Sequence, residues 1–509
     1  MSADLYGLFE RTAQARPAHA ALLRGGEAVS FAALQQQSLA LADGLRQAGV
    51  QPGERVIVWT ENSPETAALL LGCWARGAVP VLMDHTEPRA HLENAIRRVA
   101  PVLLVHPGHL PPPAGADAVP MRPVQALAGA PNARPAGAAR LPTDPASIVF
   151  TSGSTGDPKG VTQSHGSLAR GCLTVGRYLG LRAEDRLLCP IPWAFDYGYG
   201  QLLSTCLLGV TQVIPDAFNP FGICSAIAAH RPSVLAGLPS LFTYLFRGVS
   251  PLRSTDLSSI RVLTNTGGTI PGPVLAELFA AFPQAEVYLN YGLTESYRTA
   301  YLPPALARAH PTSIGAGIPG VDVVLLREDD TRCAVGEEGQ IVHRGDYLFS
   351  GYWGDPEATA RALRPDPLLP AGAPPRHPVL YTGDYGVIDE RGLLYFRGRR
   401  DHQLKSMGVR VNAAEIEALI HASGLATELA VLGVPHDLLG HEIWCFAVPS
   451  SAGADGLRAL RAWCHAQLSP YQQPRRFEGL AALPKTRTNK IDYPELRRLA
   501  AARPSASVV

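Results

Sequence analysis

The sequence lacks the features that mark several common classes of protein. Only 17% of its residues are charged, and the two signs are nearly balanced, with 45 Lys plus Arg against 44 Asp plus Glu. No block of five like charges occurs, so the chain lacks the basic footprint of a nucleic-acid-binding protein. These absences predict that its partner is a small molecule or another protein.

The cysteines and the apolar runs exclude further classes. The eight cysteines form no CxxC or CxxH pattern, so no zinc site or redox pair is indicated, and we expect free thiols in a reducing cytoplasm. Asp4 and Glu10 interrupt the N-terminal segment where a signal peptide needs apolar residues, and Arg76 interrupts the longest apolar run, residues 67–83. Neither export nor a membrane span is expected.

The sequence does contain enough apolar material for several packed cores. Its 509 residues, 46% of them hydrophobic, correspond to three or four domains or subdomains at about 150 residues each. Short apolar runs alternate with segments of helical period, which predicts an α/β fold with at least one buried, largely parallel sheet. Two stretches rich in Pro, Ala and Gly, residues 107–142 and 364–378, predict loops.

The C-terminal part of the chain has its own alternation of elements. Asn412 and Glu415 form an Asx version of the capping box, which predicts that a helix begins there. The apolar residues of this helix are Ile416, Leu419 and Ile420. Two strand-like runs and another helix follow. We therefore predict a core domain over residues 1–400 and a small α/β domain over residues 401–509.

The most informative segment is IVFTSGSTGDPKGVTQSH, residues 148–165. Its hydroxyls, its glycines and Lys159 supply what phosphate groups need: open backbone N–H groups, side-chain donors and a cation. Gly160 follows Lys159 where a Walker P-loop has Ser or Thr, so a P-loop NTPase is not indicated. A flexible linker is the other interpretation, but the fixed order of residue types disfavours it.

Six segments in order resemble the motifs of the adenylate-forming superfamily, which includes acyl-CoA synthetases, nonribosomal peptide synthetase adenylation domains and luciferases. They are TSGSTGDPKGV at 151–161, NYGLTES at 290–296, SIGAGIPG at 313–320, YTGD at 381–384, GRRDHQLKSMG at 398–408 and LPKTRTNKID at 483–492. The resemblance covers nearly the whole chain. It implies an α/β fold with a large N-terminal domain of several subdomains, whose sheets are covered by helices, and a small mobile C-terminal lid.

The resemblance also implies a reaction in two steps. A carboxylate attacks the α-phosphate of ATP to give an acyl adenylate and pyrophosphate, and a thiol then displaces AMP. Lys490 matches the lysine that acts on the reacting carboxylate. Asn489 replaces the glycine usual before it, but Asn tolerates a left-handed backbone and should preserve the turn. Glu295 matches the Mg²⁺ ligand, and Thr294 lies beside it in the catalytic motif.

The other motifs imply the ATP-binding residues. Asp384 would accept hydrogen bonds from both ribose hydroxyls, and Arg399 would also contact the ribose. Tyr291 would stack on adenine, and Gly267 and Gly268 would let the backbone approach the base. The remaining implied ATP contacts are Thr151, Ser152, Gly153, Ser154, Thr155, Gly156, Lys159 and Asn290.

The segment PIPWAFDYGYGQ, residues 190–201, resembles the stretch in which a Phe-Asp pair of adenylation domains gates the acid pocket and binds an amino group. Phe195 and Asp196 match this pair, which favours a substrate with an ammonium group, such as a small amino acid or a related polar acid. The other pocket residues implied by the resemblance are Tyr197, Gly200, Gly237, Thr264, Thr266, Asn290, Arg298 and Thr299.

Arg298 is the unusual member of this set, because a buried guanidinium needs an anion. In one interpretation, Arg298 pairs with Asp196 or another acid as part of the scaffold. In a second, it binds an additional acidic or carbonyl group of the substrate, and in a third its side chain faces outward. A pair with Asp196 would weaken the amino-acid interpretation in favour of a non-amino acyl group.

The thiol acceptor is also open. The resemblance places Asp401 at the hinge of the lid, and Lys405 and Gly408 beside the passage for a phosphopantetheine arm. No carrier-type sequence follows Lys490, so we expect a stand-alone enzyme of secondary metabolism that acylates a separate carrier protein. The alternative acceptor is coenzyme A, which would make the protein an AMP-forming acyl-CoA synthetase.

The alternative of another class is a non-catalytic nucleotide-binding relative that serves as a sensor or scaffold. Its mark in the sequence would be the loss of Lys490, Glu295 or Asp384, and all three are present. The sequence therefore favours an enzyme with ATP and Mg²⁺ as its cofactors.

Overall fold

The computed structural model describes residues 4–87, 89–113, 115–127, 129–131, 140–151, 158–370, 372, 378–399, 403–406, 409–436, 440–451, 454–468, 472–486 and 490–502. Contacts within the chain divide it into two compact units. The first comprises Met1–Val324 and Val342–Thr382, and the second comprises Leu325–Ile341 and Gly383–Val509. The predicted domain boundary between residues 400 and 401 lies outside the described residues.

The helices are distributed over both units. Those of the first unit are α1 (Leu5–Ala15), α2 (Phe31–Gln47), α3 (Pro64–Arg76), α4 (Arg89–Val99), α5 (His165–Tyr178), α6 (Asp196–Leu208), α7 (Pro220–His230), α8 (Pro239–Arg247), α9 (Gly272–Ala281), α10 (Pro304–Ala307) and α11 (Pro356–Ala362). Those of the second unit are α12 (Ala413–Ala422), α13 (Ala454–Gln467) and α14 (Tyr493–Ala501). Short 3₁₀ helices occur at Val124–Leu127, Leu252–Ser254 and Thr294–Ser296.

The strands alternate with the helices along the chain. They are β1 (Ala20–Arg24), β2 (Glu27–Ser30), β3 (Arg55–Thr60), β4 (Val79–Asp84), β5 (Leu103–His106), β6 (Met121–Pro123), β7 (Pro145–Thr151), β8 (Lys159–Ser164), β9 (Arg186–Leu188), β10 (Thr211–Ile214), β11 (Val234–Gly237), β12 (Val262–Asn265), β13 (Glu286–Tyr291), β14 (Ala300–Leu302), β15 (Ala316–Gly317), β16 (Val321–Leu326), β17 (Glu338–Gly345), β18 (Gly351–Tyr352), β19 (Leu363–Arg364), β20 (Val379–Ile388), β21 (Leu394–Arg399), β22 (Gln403–Ser406), β23 (Val409–Asn412), β24 (Ala426–His436), β25 (Gly440–Pro449) and β26 (Arg476–Gly479).

Two largely parallel sheets form the framework of the first unit. One has the strand order β15-β14-β13-β12-β11-β9-β10-β1-β2 and is parallel from β13 to β1. The other has the order β18-β8-β7-β4-β3-β5-β6 and is parallel from β7 to β6. The prediction of an α/β fold with a buried, largely parallel sheet is therefore confirmed.

The long apolar run at residues 67–83 belongs to this framework. Its first part lies in α3 and its second part in β4, and Gly77 ends the helix with a φ of +80°, in the left-handed region that glycine adopts without strain. Every residue of β4 is buried, as expected for a central strand covered on both faces. No helix in the described part of the chain is long and apolar enough to cross a bilayer.

Two smaller sequence predictions also find an outcome in the structure. All eight cysteines are free thiols, as expected from their spacing. The stretch at residues 107–142 is not loop alone, because it contains β6 and the 3₁₀ helix Val124–Leu127. Local Pro and Gly content therefore underestimated the regular structure of this segment.

The second unit contains a sheet of order β23-β22-β25-β24, with β26 parallel to β25. Helix α12 follows β23, where the capping pattern predicts a helix. Ile416 and Ile420 are fully buried, whereas Leu419 is 40% exposed, so the packed face of α12 is narrower than predicted. The side chains of the capping residues Asn412 and Glu415 lie outside the described set.

Candidate active site

Several predicted pocket residues lie at the carboxyl ends of neighbouring parallel strands. Ala236, Thr264 and Tyr288 are register partners across β11, β12 and β13, and Gly237 pairs with Asn265 one residue further on. Because ligands of open α/β sheets bind at the carboxyl ends of strands, this edge is suited to a binding site. The sequence-predicted residues on this edge are Gly237, Thr264, Thr266, Asn290 and Tyr291.

The predicted phosphate loop connects two antiparallel strands. Thr151 ends β7 and faces Lys159, which begins β8, so the two residues form the base of the loop. Ser152, Gly153, Ser154, Thr155 and Gly156 lie outside the described residues. The connection is therefore a hairpin, and not the strand-to-helix turn of a Walker P-loop.

Lys159 and Glu295 both contact Tyr352, a residue that the sequence analysis missed. The Lys159 ammonium lies 5.1 Å from the centre of the Tyr352 ring, and the Tyr352 hydroxyl donates to Glu295 Oε1 at 2.7 Å. Tyr352 reaches this position because β18 pairs with β8. A two-residue strand has no periodicity from which the sequence could have predicted this contact.

Glu295 lies in the 3₁₀ helix Thr294–Ser296 and is half-buried. Its Oε2 atom accepts no hydrogen bond from the described residues. No cluster of three or more His, Cys, Asp or Glu side chains suited to a metal ion occurs in the described part of the chain. A single carboxylate with one oxygen open fits Mg²⁺, which is commonly held by one or two carboxylates together with substrate phosphates.

Gln163, which the sequence analysis also missed, links the segment that carries Glu295 to Asp196. Its amide Nε2 donates to Asp196 Oδ1 at 2.9 Å and to the Thr294 carbonyl at 3.1 Å, and its Oε1 accepts from the Ser147 hydroxyl at 3.2 Å. Side chains along a strand alternate between the two faces of the sheet, and Gln163 follows Lys159 on β8 by an even number of residues. Both side chains are therefore on the same face. This period of two was the signal that could have identified it.

Asp196 is the first residue of α6, and Phe195 occupies the N-cap without a side-chain cap bond. Burial raises the pKa of Asp196 to about 7, and the negative charge of Glu295 acts in the same direction. The Gln163 hydrogen bond and the charge of Arg298 oppose this increase. The carboxyl group therefore changes its charge near neutral pH.

Arg298 is only 4% exposed, so the outward-facing interpretation is wrong. Its guanidinium lies over the ring of Tyr197, 5.0 Å from the ring centre. The Tyr178 hydroxyl, which also acts on the charge of Arg298, donates its hydrogen bond to Asn290 Oδ1 at 2.7 Å. The Arg298 Nε has no hydrogen-bond partner among the described residues. No ion pair joins Arg298 to Asp196 or to any other carboxylate in the described ranges, so the scaffold pair is not formed.

A γ-turn at Tyr297 precedes Arg298. Tyr297 has a φ of +50° and a ψ of −57°, and the Arg298 N–H donates to the Ser296 carbonyl across it. The Tyr297 ring fits against two helices because both carry glycine at the contact. A Cβ atom would lie 2.7 Å from the ring at Gly171 of α5 and 3.1 Å from the hydroxyl at Gly200 of α6.

Other predicted pocket residues use their polar groups within the protein. The Tyr197 hydroxyl donates to the Thr264 carbonyl at 2.7 Å, and the Asn290 amide donates to Thr264 Oγ1 at 3.0 Å. The Thr299 hydroxyl contacts His343 Nδ1 at 3.0 Å, and burial lowers the pKa of that histidine to about 4. These residues shape the strand edge. Thr266 differs, because its buried hydroxyl finds no hydrogen-bond partner in the described part of the chain.

Gly267 and Gly268 form an exposed turn after β12. Gly267 has a φ of +83° and Gly268 a φ of +159°, so the turn requires glycine at Gly267. Tyr291 ends β13 and is half-buried. The predicted contact of these residues with adenine stays a prediction.

The second unit holds the remaining predicted residues. Asp384 on β20 directly faces Arg399 on β21, and Asp384 is buried. Lys405 faces Arg410 across β22 and β23. The side chains of Arg399 and Lys405, and all of Asp401 and Gly408, lie outside the described set. The two proposed ribose residues are thus register partners.

Lys490 is exposed at the end of a tight connection. The Thr486 N–H donates to the Lys490 carbonyl at 2.6 Å, and the Lys490 N–H donates to Thr486 Oγ1 at 3.2 Å. An isolated β-bridge joins Lys485 and Ile491 just outside these bonds. Asn489, which was expected to preserve the turn, lies outside the described residues.

A half-buried carboxyl group that the sequence analysis did not identify anchors the helix after Lys490. Glu417 Oε1 on α12 accepts from the Tyr493 hydroxyl on α14 and from the Val431 N–H on β24, each at 2.7 Å. Burial raises the pKa of Glu417 to about 7. The carboxyl group thus ties three elements of the second unit together.

Comparison with known proteins gives consistent matches. A family model described as AMP-binding enzyme matches residues 9–353, and one described as AMP-binding enzyme C-terminal domain matches residues 415–490. A feruloyl-CoA synthase from an Amycolatopsis species is 31% identical over 503 residues, covering 96% of this chain and 97% of that protein. The delta-poly-L-ornithine synthetase of Acinetobacter baumannii is 28% identical over 519 residues, covering 99% of this chain but 37% of that protein.

A solved structure is also similar over nearly the whole chain. The ATP-bound MatB from Rhodopseudomonas palustris superposes with a TM-score of 0.87 at 25% sequence identity, covering 98% of this chain and 99% of that one.

Proposed function

Because the chain belongs to the adenylate-forming superfamily of AMP-binding enzymes, we propose that it is an acyl-CoA synthetase that joins a carboxylic acid to coenzyme A. The feruloyl-CoA synthase supports this acceptor, since it matches the chain over nearly the full length of both proteins. The polyornithine synthetase matches over a small part of its length and supports only the activation step. Coenzyme A therefore replaces the carrier protein as the favoured acceptor.

The observation that carries the proposal is that strand β8 contributes residues both to the proposed phosphate site and to the proposed acid pocket. At its start, Lys159 lies beside the phosphate hairpin and, through Tyr352, beside Glu295. Further along, Gln163 holds Asp196 at the predicted acid pocket. Acid activation requires an acid and a phosphate to be held close together, and this strand supplies a rigid frame for both.

In the first step of the proposed mechanism, a carboxylate oxygen of the acid forms a bond to the α-phosphorus of ATP, and pyrophosphate leaves. Lys159 would neutralise phosphate charge, and Lys490 would orient the reacting carboxylate. Glu295 would hold Mg²⁺ through its open oxygen, with Thr294 beside it. The metal ion would supply positive charge to the phosphate oxygens.

In the second step, the sulfur of coenzyme A forms a bond to the acyl carbon, and the bond from that carbon to the AMP oxygen breaks. AMP leaves with the electron pair, and the thiol loses its proton. Asp384 and Arg399 would hold the ribose of the nucleotide through this step. Asp401, Lys405 and Gly408 remain proposals for the hinge and the thiol passage.

Acylation of a carrier protein with an amino acid is the second candidate. Asp196 favours it, because a half-buried carboxylate at the first residue of α6 suits an ammonium group. In this case the acceptor would be the phosphopantetheine thiol of a separate protein.

The proposal is tested with purified protein, ATP and Mg²⁺ against a panel of aliphatic, aryl and amino acids. Acid-dependent exchange of pyrophosphate into ATP measures the first step, and mass spectrometry of the thioester measures the second. Parallel reactions with coenzyme A and with phosphopantetheinylated carrier proteins identify the acceptor. The proposed activity predicts exchange followed by acyl-CoA; the absence of exchange with every acid would contradict it.

A further inference from the structure

Arg298 is withdrawn from water without a counter-ion. It is 4% exposed, and no carboxylate of the described residues forms an ion pair with it. Removing a charge from water costs several kcal/mol unless an opposite charge and hydrogen bonds compensate for it. Asp196 acts on the charge of Arg298 without forming an ion pair with it, and burial raises the pKa of Asp196 to about 7. The described residues therefore place no carboxylate in contact with the guanidinium.

The groups around Arg298 are aromatic. Tyr197 presents its ring face to the guanidinium. Tyr178 also acts on its charge, while its hydroxyl donates to Asn290 Oδ1. Tyr178 in turn stacks on Tyr301, with ring centres 4.1 Å apart. Aromatic rings attract the guanidinium only weakly, through cation–π contacts. The N–H donors along the edge of the guanidinium plane therefore stay available to an anion. The Nε group, which no described residue hydrogen-bonds, lies on that edge.

The backbone just before Arg298 is strained, and this strain is a second unfavourable contribution to the folding free energy. Tyr297 adopts a γ-turn with positive φ, a conformation that costs about 1–3 kcal/mol for a non-glycine residue. Two glycines, Gly171 and Gly200, leave the space for its ring. Strain and an unpaired buried charge occur together at adjacent residues, although neither stabilises the fold. Such combinations are typical of binding sites.

Arg298 and the phosphate-binding residues contact different elements. Arg298 lies over the ring of Tyr197, whose hydroxyl donates to the Thr264 carbonyl on β12. Lys159 on β8 and Glu295 both contact Tyr352 on β18. The reacting carboxylate must lie near the α-phosphate, on the side of Lys159 and Glu295. An anion at Arg298 is therefore a different group from the one that is activated.

We propose that Arg298 binds a second carboxylate, or an equivalent oxyanion, at the end of the acid remote from the activated carboxylate. The substrate class is then a dicarboxylic acid or another acid with two anionic groups. This inference rests on the proposed acid activation. It names the group that the buried guanidinium recognises through charge-assisted hydrogen bonds.

The test compares each dicarboxylic acid with its monoamide, which has nearly the same shape but lacks the second charge. Aliphatic pairs of increasing length and one aromatic pair, isophthalate with 3-carbamoylbenzoate, cover the unknown size of the pocket. Acid-dependent pyrophosphate exchange gives kcat/KM for each member. For the best pair, we expect the diacid to be preferred by about 10- to 100-fold, as for loss of a charge-assisted contact.

The variants assign this preference to one side chain. Arg298→Met should reduce the ratio to near one by losing activity on the diacid, and Arg298→Lys should retain part of it. Arg308→Met is the matched control, since Arg308 lies 4.4 Å from the ring centre of Phe279 on the surface of the same unit. It should leave the ratio unchanged.

Two results would overturn the inference. If the wild type uses the diacid and its monoamide equally well, the substrate needs no second anionic group. If Arg298→Met loses activity equally on the diacid and the monoamide, Arg298 binds the activated carboxylate instead. If no acid supports exchange, the proposed function fails, and thermal unfolding still decides the role of Arg298. Arg298→Met should melt no lower than the wild type, and isophthalate should raise the melting temperature of the wild type alone; a less stable variant would indicate a scaffold role.

Discussion

At the scale of single residues, Tyr352 offers two separable contacts. Its ring faces Lys159, and its hydroxyl holds Glu295. Tyr352→Phe keeps the ring and removes the hydrogen bond, so Glu295 should lose its orientation towards the metal. We expect kcat for pyrophosphate exchange to fall about 10-fold and the Mg²⁺ concentration for half-maximal rate to rise.

Tyr395→Phe is the control for this change. Tyr395 also donates its hydroxyl to a carboxylate, Asp389 Oδ2, at 3.2 Å, but in the second unit and outside the proposed site. It should leave the Mg²⁺ dependence unchanged. An unaltered dependence in Tyr352→Phe as well would show that the hydrogen bond does not position a metal ligand.

Asp196 allows a test through pH. Since burial raises its pKa to about 7, the carboxyl group is neutral below this value and charged above it. If it binds an ammonium group, kcat/KM for amino acids should rise up to about 10-fold per pH unit below 7 and level off above. Asp196→Asn keeps an acceptor for Gln163 and should abolish this rise.

Acids without an amino group provide the comparison for Asp196. Glu295, Arg298 and Gln163 all act on its charge, so a pH profile alone could reflect any of them. The profile should disappear for amino acids in Asp196→Asn and remain unchanged for other acids. An identical substrate profile in the variant and the wild type would remove the case for an ammonium ligand.

The residues that the sequence predicted and those that it missed differ in how they act. Lys159, Glu295 and Asp196 carry chemistry in segments with recognisable composition. Gln163 and Tyr352 act by holding these groups, and their roles depend on which distant strands pair. Strand pairing is a long-range property, so local patterns could not identify the second set.

At the scale of elements, α12, β24 and α14 meet at the half-buried carboxyl group of Glu417. The pKa of Glu417 is raised by burial from an ordinary 4.5 to about 7, so the folded protein retains this proton longer than the unfolded chain does. Its contribution to the unfolding free energy therefore falls as pH rises from about 4.5 through 7. Glu417→Gln, which mimics the neutral form, should be relatively more stable at pH 8 than at pH 5.

Calorimetry at these two pH values measures the effect. We expect the melting temperature of Glu417→Gln to exceed that of the wild type by about 2–4 °C at pH 8, with little difference at pH 5. Glu495→Gln on α14 is the matched surface control, since Glu495 pairs only with Arg498 within its own helix. A constant difference between Glu417→Gln and the wild type at both pH values would contradict the titration.

Element-level predictions succeeded where a pattern was local and failed where a turn was set by packing. The capping pattern before α12 predicted a helix that the structure contains. The γ-turn at Tyr297 has no such signal, because its strain is balanced by glycines on α5 and α6 that are distant in sequence. The position of Arg298 therefore could not be predicted from its neighbours.

At the scale of the whole molecule, the residues proposed for the reaction are divided between two units. The first unit holds Lys159, Glu295 and Arg298, and the second holds Asp384 and Lys490. The sequence analysis assigned Asp384 to the core domain over residues 1–400 and Lys490 to the small domain over residues 401–509. An enzyme that catalyses two half-reactions in turn can use a given residue of the second unit in only one of these half-reactions.

Lys490→Ala tests this separation. If Lys490 orients the reacting carboxylate, the variant should lose pyrophosphate exchange by at least about 100-fold. It should form thioester from pre-made acyl adenylate and coenzyme A at nearly the wild-type rate, because the carboxylate is then already activated. Single-turnover measurements of the two half-reactions give both rates.

Lys485→Ala provides the control, because Lys485 lies on the same connection as Lys490 but pairs with Glu428 within the second unit. Loss of this partly exposed ion pair should cost about 0–1 kcal/mol of stability and leave both half-reactions within a few-fold of the wild type. Equal loss of both half-reactions in Lys490→Ala would mean that the substitution disturbs the second unit as a whole. A selective loss of adenylation would show instead that the Lys490 ammonium acts before the acyl adenylate has formed.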